Sequence, residues 1–79
     1  MKQERFVALH AKEWDSLQAW LGELDRQPKR GMRSEQALDF PAAYRRICHH
    51  LALARGRGYS HEVTERLQRL VQRGHRVLY

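Results

Sequence analysis

Five histidines and a single cysteine are the first side chains to test for chemistry in this 79-residue sequence. His49 and His50 follow Cys48 directly. On a helix, neighbours diverge by roughly 100° per residue, so these three cannot converge on one ion. His10, His61 and His75 fall in separate predicted elements, and neither an HExxH nor a CxxC pair occurs. The sequence therefore predicts no metal site, and His75 beside Gly74 reads as a packed or interfacial histidine. Cys48 falls within an apolar stripe, where a thiol behaves as a small hydrophobe. Glu13 is a candidate acid, but it has no second carboxylate at a fixed spacing. Gly56 and Gly58 fit a helix end rather than a phosphate-cradling loop. Neither an enzyme nor a cofactor is expected.

Arginine is the other conspicuous residue type. The net charge is +6, and it is unevenly placed. Residues 1–27 carry four basic against five acidic side chains, whereas residues 28–79 carry eleven against four. Such asymmetry suits a surface that meets an anionic partner: lipid headgroups, an acidic protein or nucleic acid. Arg66, Arg69, Arg73 and Arg76 recur at spacings that place them on one side of a helix, and they are the predicted anionic contacts. Glu62 and Glu65 precede Arg66 and Arg69 by one turn, the favourable order for ion pairs. The sequence offers Arg73 and Arg76 no such partner. The same stripe can lie along a phosphate backbone, but it has no Asn and no aromatic residue to read base edges, and only Gln72 for that purpose. Nucleic acid is thus the weaker partner reading.

These residues must be positioned by helices. Phe6, Leu9, Trp14, Leu17, Trp20, Leu21 and Leu24 fall within one stripe at helical spacing, which predicts a first helix over about 2–26. Glu13 lies in that stripe too. Either a basic side chain from elsewhere pairs with it, or the helix breaks near residues 10–12. From Gln27 to Asp39 the apolar rhythm stops at Pro28, which predicts a charged connection holding one helical turn at residues 34–38. That turn would have Ser34 as its cap and Leu38 reaching the core. A second helix is predicted over about 40–57, opening at Pro41 and carrying Phe40, Tyr44, Ile47, Leu51 and Ala54 inward. Gly58 suits the left-handed position after its last turn. Ser60 caps a third helix over about 61–79, whose stripe is Val63, Leu67, Leu70, Val71, Gly74 and Leu78. Gly74 costs about 1 kcal/mol inside a helix, so it predicts a close approach of two helices.

The expected fold is all-α: a helical hairpin packed against the N-terminal helix, as one small domain over 1–79. Trp14, Leu17, Trp20, Tyr44, Ile47, Leu51, Leu67, Leu70 and Gly74 are the predicted packing residues. Apolar residues make up 42% of the chain and charged residues 30%, which fits neither disorder nor a membrane span. No run approaches the ~18–20 apolar residues of a transmembrane helix, and the first ten residues do not read as a signal peptide. One cysteine suits a reducing compartment. A core this small is marginal, so a homodimer is a natural remedy.

Three segments carry a family resemblance: Tyr44-Arg45-Arg46, the run from Leu51 to Arg55, and Arg73 to Tyr79 with its Arg-Gly-His and terminal Leu-Tyr. With Phe6, Trp14 and Leu17 upstream, the sequence resembles the N-terminal cytosolic region of the stage II sporulation protein M family of bacterial integral membrane proteins. Gly56 departs from that pattern. The resemblance implies a chain that continues past Tyr79 into transmembrane helices. It also implies a location on the cytoplasmic side of the bacterial inner membrane. It further implies protein partners, a MoxR-type AAA+ ATPase system among them, and no enzymatic activity. An excess of Lys and Arg beside a membrane agrees with that placement.

Overall fold

In the computed structural model, which describes residues 2–79, every regular element is a helix: α1 (Gln3–Arg26), α2 (Pro28–Met32), α3 (Glu35–Gly56) and α4 (His61–Leu78). The all-α reading holds. There are four helices where three were expected, because the connection after α1 is itself largely helical.

Pro28 opens α2 at a position where its missing N–H costs nothing. Trp20 then fastens the connection to α1. Its indole N–H donates to the Gly31 carbonyl and to Ser34 Oγ, both at 3.0 Å, and Ser34 Oγ donates to the same carbonyl at 2.8 Å. Gly31 permits this approach: a Cβ there would meet Leu24 Cδ1 at 2.7 Å. Ser34 spends its side chain on this link and makes no side-chain cap bond to α3. α3 begins at Glu35, so Pro41 lies inside the helix rather than at its start. Leu38, expected in the core, is 87% exposed. The helical phase that buries Phe40 and Ala43 leaves position 38 on the outside.

α1 runs unbroken through residues 10–12. The stripe's awkward carboxylate is answered from α3, where Arg46 Nε lies 2.5 Å from Glu13 Oε1. Gln3 pairs with Ser60 at one end of α1, and Asp25 pairs with Arg73 near the other. α1 and α4 therefore run parallel, with α3 antiparallel to both.

Phe6, Trp14, Leu17, Trp20, Leu21, Phe40, Ile47, Leu51, Ala54, Val63, Leu67 and Leu70 form the buried cluster, with Tyr44 packed against it half-buried. Gly74 lies under Tyr44 and Phe40, and a Cβ there would meet Tyr44 Cδ1 at 2.7 Å. The α3–α4 turn takes its positive φ at Gly58, +66°, and the Ser60 hydroxyl accepts from the Val63 N–H as a cap.

Candidate interaction surface

α4 presents its arginines along the flank facing α1, and there the structure pairs them. Arg66 bonds Asp15 of α1, and Arg69 bonds Glu65 one turn back on α4. Arg73 reaches Asp25 at 3.2 Å. The expectation that Arg73 lacks a partner is thus corrected. Its acid comes from α1, nearly fifty residues away in sequence, where helical spacing cannot reveal it. Arg76 alone of the four has no acidic partner among the described residues. A shallow groove of about 400 Å³ runs along this flank, lined by Gln18, Glu62, Glu65, Arg66, Arg69 and Arg73 with Leu70 at its floor. With Asp15, Glu62, Glu65 and Asp25 interleaved among the arginines, the flank carries little net charge.

The cations without such company lie elsewhere. Because α1 and α4 run parallel and α3 antiparallel, one end of the bundle gathers the last turn of α1, all of α2, the first turns of α3 and the last turn of α4. Arg26, Lys29, Arg33 and Arg76 are here with no ion pair among the described residues, and Arg30 makes a loose one to Glu23 at 3.7 Å. Of the acids at this end, Asp25 is engaged by Arg73 and Asp39 by Arg46, which leaves Glu23 and Glu35 among these cations. Four large apolar side chains are exposed among the described residues, and three of them are at this end: Met32 at 58%, Leu38 at 87% and Tyr79 at 85%. α2 adds the exposed Pro28 between Gln27 and Lys29. A basic end with apolar residues standing in water is an arrangement that the sequence reading missed. The signal for it is the run Pro28-Lys29-Arg30-Gly31-Met32-Arg33, whose lack of apolar period makes it look like a connection in sequence.

A third cluster lies between α1 and α3. Trp14 Nε1 donates to His50 Nδ1 at 3.0 Å, and His50 is 6% exposed. The His10 ring stacks on His50 with centroids 4.1 Å apart, and Phe6 sets its edge against both rings. One ligand atom each of His10, Glu13 and His50 lie within 4.8 Å of one another, close enough for a small cation. The hydrogen bonding opposes that use. An indole N–H only donates, so His50 Nδ1 is the lone-pair nitrogen and Nε2 carries the proton of the neutral ring. A metal-bound histidine needs the reverse, donating from its other nitrogen. Glu13, moreover, is held by Arg46, whose guanidinium the carboxylate keeps more firmly protonated than usual. Burial pushes the His50 pKa down, and His10 adds to that effect. His10 lies on a different element from His50 in sequence, yet helix packing brings the two rings together.

Cys48 is half-buried on α3 and unpaired by any disulfide. His75 stacks on Tyr79 at the exposed end of α4, centroids 4.8 Å apart.

Residues 4–79 match the family described as a domain of unknown function, DUF8413, and the chain belongs to that family. Neither a curated protein nor a solved structure matches it.

Proposed function

We propose that this chain is a non-enzymatic helical docking module that sets the basic end of its bundle against an anionic bilayer surface. The observation that carries the reading is the coincidence, at one end, of unpaired Arg26, Lys29, Arg33 and Arg76 with exposed Met32, Leu38 and Tyr79. Interfacial binding draws on both contributions. Each Lys or Arg near an anionic leaflet is worth about 1 kcal/mol, and apolar side chains add by entering the headgroup boundary. Single exposed apolar side chains are ordinary, but three of the four gathered at one basic end favour an interaction surface there.

The α4 stripe enters this proposal with a reduced part. Arg66 and Arg73 are paired across to α1 and Arg69 within α4, and Arg76 belongs to the basic end. Among the described residues no helix is long and apolar enough to cross a membrane. The placement on the cytoplasmic side of a bacterial inner membrane, ahead of transmembrane helices, rests on the resemblance to the stage II sporulation protein M family. So do the protein partners, including a MoxR-type AAA+ system. The non-enzymatic reading is supported by the side chains with catalytic potential, since Glu13 and His50 are both engaged in helix-to-helix bonds.

Sedimentation with vesicles tests the proposal. Binding to phosphatidylserine-containing vesicles, absent from phosphatidylcholine ones and weakened by salt, is the expected result. Equal partition to both compositions contradicts it. Tighter binding to duplex DNA than to anionic vesicles would transfer the basic end to a nucleic-acid role.

A further inference from the structure

The His10–His50 stack encloses two titratable rings between α1 and α3. We propose that it is a proton-sensitive latch: protonation of His50 breaks its bond to Trp14 and frees the first half of α1 from α3.

The geometry leaves His50 no comfortable charged state. Its Nδ1 accepts from the Trp14 indole at 3.0 Å. A proton on that nitrogen would set two donors head to head, and an indole has no lone pair to offer in exchange. The ring is 6% exposed, so water cannot take the lost bond's place without movement of the helices.

The surrounding groups act in the same sense, with one exception. From α1, His10 stacks at 4.1 Å and would repel a second positive ring, while Glu13 is the group that favours charge. From α3, Arg46 takes hold of Glu13, and Arg46 and His49 add positive charge. From α4, the Arg66 guanidinium lies 5.4 Å from the centre of the Trp14 ring. Phe6 closes the pocket with its edge on both histidines and in turn meets Tyr59 of the α3–α4 turn. Movement at His50 is therefore passed to the anchoring of the α1 N-terminus, where Gln3 bonds Ser60.

Burial, then His10, push the His50 pKa below its ordinary 6.5, so the unfolded chain takes up this proton more readily than the folded one. The stability contributed by the latch is complete above the ordinary histidine range. It is lost as pH falls from there toward the folded-state value. A latch of this kind is closed at neutral pH and opens on acidification, and it operates whether or not the basic end binds a bilayer.

NMR titration of the full chain between about pH 8 and about pH 5, followed at the His50 ring and the Trp14 indole N–H, tests the latch directly. The two signals should move together, at a midpoint below the ordinary histidine value. Thermal melts over the same range should show Tm falling by several degrees for the wild type. In His50→Asn the amide oxygen still accepts from Trp14 but cannot titrate, so the fall should be smaller. His10→Asn should raise the His50 midpoint. The proposal is overturned if His50 titrates at or above the ordinary histidine value while the indole signal stays fixed. It is equally overturned if wild type and His50→Asn lose the same Tm with acid. Should His50→Asn fail to fold, the wild-type titration decides alone.

Discussion

The arginines of α4 and the cations at the basic end carry the same charge in different company. Along the α4 flank Arg66, Arg69 and Arg73 each meet a carboxylate, two of them supplied by α1. At the end of the bundle Arg26, Lys29, Arg33 and Arg76 meet none among the described residues, and exposed Met32 and Tyr79 stand nearby in sequence and along the bundle axis. Regular spacing made the first group conspicuous, yet its charge is answered by carboxylates of α1 and of α4 itself. The second group is irregular in sequence and is assembled from three helices. A charged stripe is a binding surface only to the extent that the fold leaves its charge unanswered.

The largest effect that sharpens this contrast comes from the packing beneath the stripe. Trp14→Ala removes the ring under Arg66 and the donor to His50, and is expected to cost about 3–5 kcal/mol in urea unfolding. A cost under about 1 kcal/mol would mean that the flank is held by its ion pairs instead. Next comes the basic end: Lys29→Gln, Arg33→Gln and Arg76→Gln together should weaken binding to anionic vesicles roughly a hundredfold, at about 1 kcal/mol per charge. Unfolding free energy should change by no more than about 0.5 kcal/mol per substitution, as for other exposed sites. The smallest effect belongs to the ion pairs themselves. Asp15→Asn with Asp25→Asn should cost about 0.2–1 kcal/mol each, an effect that shrinks as salt is added. The same pair of changes should strengthen vesicle binding slightly, since two negative charges are lost while all the cations remain.

Much of the fold was legible in the sequence because it depends on period and punctuation. The α1 stripe (Leu9 excepted, which stands 58% exposed), the turn at Gly58, the Ser60 cap and the close approach at Gly74 are all local signals with one physical meaning each. The connection after α1 was not legible in the same way. Its helicity comes from tertiary bonds, with Trp20 donating to Gly31 and Ser34, and Gly31 admitting Leu24. After the proline, Met32 stands alone among charged and small residues and gives no apolar period to detect. The surface chemistry was the least legible part. Whether Arg73 is free or paired depends on where Asp25 lies, and whether His10 is solitary depends on where His50 lies. Both answers belong to the packing of one helix on another, which chain spacing does not encode.

The most direct test of the docking account compares two triple variants on the same anionic vesicles: Lys29, Arg33 and Arg76 to Gln at the basic end, and Arg66, Arg69 and Arg73 to Gln along the α4 flank. The account predicts that the first loses most of its binding and keeps its Tm, while the second loses Tm and keeps most of its binding once folded. Equal loss of binding in the two, or loss confined to the flank variant, would contradict it.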